Sequence, residues 1–259
     1  HALDFKSINI DLVYGLPKQT LESLGRTLRR IAELRPGRMA IYGYAHLPER
    51  FKAQRLIKRE ELPDQTLRMA MVQLAIQTLN GAGYQYIGMD HFALPEDALA
   101  IAKRQGRLHR NFQGYSTQPD CDLVGLGVSA IGKVGATYSQ NVKTLDEYQY
   151  LIDQGRLPVA RGLALSRDDI LRRSVIMALM CQGEVLFESI ELAHLIDFRQ
   201  YFAAEMEQMR EMQQQGLVSI SDSGIQVTPL GWFFVRGVAM VFDKYLQADR
   251  TRARFSKII

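Results

Sequence analysis

The chain has 259 residues, 47% hydrophobic and 23% charged, with a formal net charge of +4. That composition belongs to an ordinary globular chain of one large domain or two smaller ones, with enough apolar residues to build a core unaided by disulfides or metals. The longest apolar runs fall well short of the roughly 20 residues that span a bilayer, and residues 1–6 lack a basic-then-apolar leader pattern, so a cytoplasmic chain without membrane partners is expected.

Residues 7–14 alternate apolar and polar and are rich in β-formers, so they predict a strand closed by Gly15-Leu16-Pro17. Thr20 then predicts an N-cap, and Leu21, Leu24, Leu28, Ile31 and Leu34 form the apolar stripe of a helix that Pro36-Gly37 ends. Residues 38–44 predict a second strand, and this strand–helix–strand order suggests a βαβ unit in a parallel sheet. Residues 49–61 are polar and charged. A long helix begins after Pro63-Asp64 with Leu67, Met71, Leu74 and Thr78 on one face, and Gly81 and Gly83 close it before a short strand at 84–88. Residues 96–120 read as irregular with at most a short helix, 122–128 as a buried strand, and 145–155 as a short helix.

The texture changes near Leu165. Ser166 predicts the cap of a helix running to about Cys181, and residues 198–215 form an amphipathic segment ended by Gly216. Residues 217–220 and 225–228 predict a hairpin around the polar turn Ser221-Asp222-Ser223-Gly224, and Pro229 opens a last helix. Helices, a hairpin and a helix outline a winged-helix-like module.

Candidate ligand-binding residues cluster at or just past the ends of predicted strands, where parallel α/β sheets bind ligands. Asp11 could accept hydrogen bonds from a ribose or an amino group, or merely cap a loop. Ala45 would let a flat ring approach the backbone, and His46 beside it could donate a proton or be a satisfied turn residue. Asp90 and His91 follow a third strand, and the three strand ends converge if the sheet is parallel. Arg110-Asn111-Phe112-Gln113-Gly114-Tyr115-Ser116-Thr117 mixes an amide, aromatics and hydroxyls in the manner of a binding loop over a planar ligand. The run from Gly125 to Ile131 is Gly-rich but matches no phosphate-loop pattern, and its glycines fit close backbone packing or ligand approach.

Charge is unevenly placed. Residues 1–165 hold 21 Lys and Arg against 16 Asp and Glu, while residues 166–259 hold 11 against 12, so an anionic ligand suits the first part and duplex DNA does not suit the second. Arg50, Lys52, Arg55, Lys58 and Arg59 make a basic stretch that either meets an acidic ligand or is a solvated face partly offset by Glu49, Glu60 and Glu61. Cys121 and Cys181 stand far apart, so no metal ligands are expected from this chain alone. Met177, Met180, Met206, Met209 and Met212 read as core.

Five segments occur in order: 8–17, Tyr44-Ala45-His46-Leu47-Pro48, 86–93, 109–117 and 125–131. Together they resemble the bacterial oxygen-independent coproporphyrinogen III oxidases, and the similarity runs through nearly the whole chain, including residues 251–259. The motif at 111–117 separates this branch from the related haem chaperones. The resemblance implies an α/β fold: the later strands of a partial radical-SAM (β/α) barrel over residues 1–165, with a winged-helix-like C-terminal lid domain over 166–259. It implies conversion of coproporphyrinogen III to protoporphyrinogen IX with S-adenosylmethionine, a 4Fe–4S cluster and an electron donor, in a monomer. Asp11, Ala45 and Ile131 fall at positions that contact adenosylmethionine, and Gln113 at a second such site. Arg110 and Tyr115 in the same loop are expected to meet substrate. The family's C-x-x-x-C-x-x-C cluster motif is absent here, as are its early barrel strands, so the chain is expected to be a C-terminal part whose catalysis depends on the rest. A haem-chaperone relative and a ligand-sensing winged-helix regulator are the alternatives.

Overall fold

The computed structural model describes Phe5 and residues 7–248, and the expected similarity at 251–259 lies outside the described residues. Two compact units emerge. One contains residues 7–106 and 232–237, the other residues 107–231 and 238–247. This grouping divides the chain near residue 106, whereas the change of texture at 165 marks the start of a helical module inside the second unit.

In the first unit, strand β1 (Asn9–Tyr14) leads into helix α1 (Leu21–Leu34), and β2 (Arg38–Gly43) returns parallel to β1. Thr20 caps α1 through a reciprocal capping box with Ser23. Arg35, in the left-handed conformation at φ 49°, ends it just before Pro36, where an α-helical residue is disfavoured. Helix α2 (Gln65–Gly81), capped by Asp64, follows. Its fully buried face is Met71, Ala75 and Leu79, rotated from the predicted stripe, because the neighbouring sheet and α1 decide which side is covered.

The sheet is not wholly parallel. Strand β3 (Gln85–Gly88) turns back into β4 (His91–Ala93), and β4 inserts antiparallel between β2 and β3, giving the order β1-β2-β4-β3. The reversal uses positive φ at Gly88 and Met89 and is closed by the Tyr86 hydroxyl donating to the Met89 carbonyl. One sheet face and the two long helices enclose a core of Leu24, Leu28, Met39, Ile41, Met71 and Leu79, each side chain contributing about 1.5–3 kcal/mol by leaving water. Helix α3 (Ala98–Arg104) completes the sequential part of this unit.

The second unit starts with a small hairpin, β5 (His109–Asn111) and β6 (Gly114–Ser116), where an irregular loop was expected. The expected buried strand at 122–128 is absent. Val124 and Leu126 are 73% and 83% exposed, and only Leu123 makes a bridge, to Lys133. A Cβ at Gly125 would lie 2.8 Å from the Ile131 carbonyl oxygen, so glycine permits this close backbone approach in place of a ladder. Strands β7 (Ile131–Val134), β8 (Thr137–Asn141) and β9 (Val159–Ala164) form an unpredicted antiparallel sheet, with helix α4 (Leu145–Asp153) between β8 and β9.

The C-terminal module then follows: α5 (Arg167–Gln182), β10 (Glu184–Leu186), α6 (Phe187–His194), α7 (Phe198–Tyr201), α8 (Ala203–Gln214) and the hairpin β11 (Val218–Ile220) and β12 (Gly224–Val227). β10 joins the predicted hairpin as a third strand, beside β12. The last helix is three short pieces, α9 (Pro229–Trp232), α10 (Val235–Met240) and α11 (Lys244–Ala248). Phe187, Phe198, Phe202 and Phe242 stack in the centre of the module, with Phe198 0% exposed. Met180, Met206 and Met209 are buried as expected. No helix among the described residues is long and apolar enough to cross a membrane.

Candidate functional site

The sheet of the first unit has one face against α1 and α2; its other face is exposed along β1 but covered at its centre, where Ala40 and Ala93 are buried. Alternation decides which residues reach it. Ile10, Leu12, Met39 and Ile41 pack into the core, while Asn9, Asp11 and Val13 of β1 and Tyr42 of β2 are exposed on the opposite face. Asp11 therefore lies within β1, not at its end as expected. Its register partner is Ala40, whose partner on the far side is His91, so Asp11, Ala40 and His91 form one row across three strands. Tyr42 and His91 meet edge to face with ring centres 6.2 Å apart. Asn9 Nδ2 donates to Asp11 Oδ1 at 2.7 Å, which orients the carboxylate and leaves Oδ2 without a partner among the described residues. The insertion of β4 thus still brings His91 into line with Asp11, although the sheet is mixed.

Ala45 lies two residues past the end of β2, as expected, and is exposed. Its loop is braced by Gln54, whose Oε1 accepts from Leu47 N at 2.5 Å and whose Nε2 donates to Ala45 O at 3.1 Å. His46 sits 6.2 Å from the Tyr44 ring, and its buried Nδ1 has no hydrogen-bond partner. Behind the strands, burial and the nearby Asp90 charge raise the Tyr14 phenol above its ordinary pKa.

One perturbed group escaped the sequence reading. Lys103 Nζ donates to the carbonyls of Tyr86 and Ile87 at 2.9 and 2.7 Å and lies 4.1 Å from the centre of the Trp232 ring. Burial pushes its amine down to about 8. No local pattern marks Lys103, because Trp232 arrives from 129 positions away in sequence, 232 minus 103.

In the second unit, Arg110, Gln113 and Tyr115 share the β5–β6 hairpin. Tyr115 is buried, and its hydroxyl donates to the Met180 carbonyl at 2.8 Å. The Arg110 guanidinium lies over the Tyr115 ring at 5.0 Å, with a buried Nη1 that has no hydrogen-bond partner. Gln182 anchors the hairpin base through the Leu108 carbonyl. Gln113 and the half-exposed Phe112 occupy the tip, where Gln113 N donates to Asn111 Oδ1 at 2.9 Å. A fixed base and an exposed aromatic–amide tip suit contact with a planar ligand. Ile131 opens β7, against Gly125 and apart in sequence from the hairpin. Asp11 and Ala45 thus belong to one unit, and Arg110, Gln113, Tyr115 and Ile131 to the other.

The donor set fits a nucleoside-bearing ligand in one respect: Asp11 offers a half-engaged carboxylate on the exposed β1 edge of the sheet. It does not fit an iron–sulfur cluster. Among the described residues no three His, Cys, Asp or Glu side chains gather as metal ligands. Cys121 is exposed, whereas Cys181 is buried and its thiol is pushed up to about 12 by burial, opposite to the thiolate a metal requires.

Residues 165–234 match the HemN C-terminal domain. An oxygen-independent coproporphyrinogen III oxidase from Pseudomonas aeruginosa is 48% identical over 258 residues, which is 100% of this chain and 56% of the relative. One from Thermostichus vulcanus is 42% identical over 259 residues, covering 100% of this chain and 79% of that protein. A solved structure described as "Coproporphyrinogen III oxidase (HemN) from Escherichia coli is a Radical SAM enzyme" superposes with a TM-score of 0.91 at 48% identity, over 95% of this chain and 56% of that one. The chain spans little more than half the length of most of these relatives.

Proposed function

The chain belongs to the oxygen-independent coproporphyrinogen III oxidase family, and we propose from this premise that it serves the oxidative decarboxylation of coproporphyrinogen III to protoporphyrinogen IX in haem synthesis. Each of two propionate side chains becomes a vinyl group with loss of carbon dioxide, a proton and two electrons. Adenosylmethionine and a 4Fe–4S cluster supply hydrogen-abstracting radical chemistry when bound. Among the described residues no set of cluster ligands gathers, so this chain's residues are assigned binding and positioning.

The observation that carries the reading is the exposed, partly engaged carboxylate of Asp11 on the β1 edge, in register with Ala40 and His91. Asp11 accepts hydrogen bonds from the ribose or amino group of adenosylmethionine through its partly engaged carboxylate, and Ala45 leaves space at the strand end for the flat base. In the second unit Ile131 is assigned an adenosylmethionine contact and Gln113 a contact to a second adenosylmethionine. Arg110 supplies a cation to a substrate carboxylate, and Tyr115 holds that guanidinium in place by stacking. The C-terminal module shields the substrate from water. A cytoplasmic monomer served by an electron donor, without nucleic acid or membrane, completes the reading.

The test joins this chain in frame to the N-terminal region of the Pseudomonas aeruginosa relative. After anaerobic cluster loading, the chimera should form protoporphyrinogen IX, and the isolated chain should bind adenosylmethionine measurably by calorimetry. A loaded chimera that cleaves adenosylmethionine, binds haem stoichiometrically and never forms vinyl product would replace the oxidase by the chaperone relative.

A further inference from the structure

We propose that residues 49–61 form a capture platform for an amphiphilic polycarboxylate, which, on the reading above, is the porphyrinogen substrate. The segment leaves the loop after β2 and folds into two short 3₁₀ turns, Lys52–Leu56 and Arg59–Glu61. Arg50, Lys52, Arg55, Lys58 and Arg59 are all exposed. A charge run alone is an ordinary solvated face, but this one raises two large apolar side chains among its cations. Leu56 is 88% exposed and Phe51 56%. Lys52, Lys58 and Arg59 form no ion pair among the described residues, whereas Glu61, one of three neighbouring glutamates, is drawn to Lys18 at 3.2 Å. The surface therefore combines unspent positive charge with apolar area, which matches a macrocycle that is apolar in its body and bears carboxylates on its rim.

Placement adds the second argument. Gln54, inside the first turn, holds Leu47 N and Ala45 O together, and Arg55 Nε donates to Pro48 O at 2.9 Å. The platform is stapled to the loop that carries Ala45, so a ligand gathered there lies beside the end of β2. Clustered cations at the mouth of a site raise the capture rate of an anion, and salt screens the effect within about 10 Å at 0.1 M.

Stopped-flow fluorescence with coproporphyrin III, the stable oxidised porphyrin with four carboxylates, tests this on the full chain. Association should slow several-fold between about 20 and 500 mM salt. Lys52→Glu combined with Lys58→Glu should cut the low-salt association rate about tenfold and flatten its salt dependence, with dissociation changed less than about twofold. Leu56→Ser should instead speed dissociation, and circular dichroism should show both variants folded. Association identical in the wild type and the charge variant overturns the proposal, as does absence of coproporphyrin capture, or preferential binding to anionic phosphatidylglycerol vesicles, which would make the surface a lipid contact. Product formation by the chimera is scored separately, so a failed platform leaves the oxidase reading standing and a failed oxidase leaves capture measurable.

Discussion

The exposed β1 edge of the first unit's sheet and the aromatic centre of the C-terminal module handle polar groups in opposite ways. In the module, Asp168 is met by Arg172 at 2.8 Å, Tyr201 at 2.9 Å and Lys244 at 2.7 Å, Asp169 by Ser166 and Lys244, and Arg172 also by Glu205 at 2.7 Å. Its charges are consumed by one another around four packed phenylalanines. On the β1 edge, Asp11 has Asn9 alone at its carboxylate. Buried or crowded charges must be paired because desolvation is costly, whereas a carboxylate kept half-engaged on an exposed edge remains free to hold something else. The contrast separates side chains that make the fold from those it presents.

The largest expected effect lies in the module. Phe198→Ala removes a 0% exposed ring that stacks on Phe187 at 4.4 Å and should cost about 3–5 kcal/mol in urea unfolding. A loss below about 1 kcal/mol would mean these rings are not the core. Asp11→Asn should do the reverse. Stability should stay within about 0.5 kcal/mol, while adenosylmethionine binding by the loaded chimera weakens by about 1.5–3 kcal/mol, roughly ten- to hundredfold. Unchanged affinity with lowered stability would place Asp11 among the fold-making residues and break the comparison.

Two smaller effects concern pH. Burial lowers the Lys103 amine from the ordinary 10.5 to about 8 in the folded state, so between those values the unfolded chain binds the proton more tightly. Stability should therefore rise with pH across that window, by on the order of 1–2 kcal/mol relative to Lys103→Met measured in parallel. A flat difference would show that the Tyr86 and Ile87 carbonyls compensate fully for burial. Asp120 behaves in the opposite sense. The Arg173 guanidinium and Lys133 hold its carboxyl at about 2 against the ordinary 3.8. Its stabilisation is present above the ordinary value and should fade as pH falls toward 2. Because its side chain is 44% exposed, the loss should be below about 1 kcal/mol and shrink in added salt. An acid titration of Asp120→Asn should be flatter than the wild type over that interval.

Much of the fold was legible wherever one local rule applied. The cap at Thr20, the stop at Pro36, the cap at Ser166 and the hairpin around residues 221–224 all have short-range causes: a hydroxyl reaching the first turn, a missing backbone donor, a tight polar turn. The β5–β6 hairpin was legible as a segment of interleaved amide, aromatic and hydroxyl residues but not as strands, since three residues per strand carry too little alternation to register. Residues 122–128 failed for the converse reason. Val124, Leu126 and Val128 look like a buried strand, yet Gly125 lets the backbone pass against Ile131 and leaves the apolar side chains outside.

By itself the sequence determined the long helices α1, α2 and α5 with their starts at Thr20, Asp64 and Ser166, the parallel pairing of β1 with β2 and, through five ordered motifs, the family. These follow from contacts a few residues apart or from residue identity alone. Only the tertiary structure decided that β4 runs against β2, that Asp11, Ala40 and His91 share one row, that Trp232 closes over Lys103, and that Gln54 ties the basic turns to the loop of Ala45. Each of these joins residues whose proximity depends on how sheets, turns and helices pack, and alternation along a single strand does not specify which strand lies beside it.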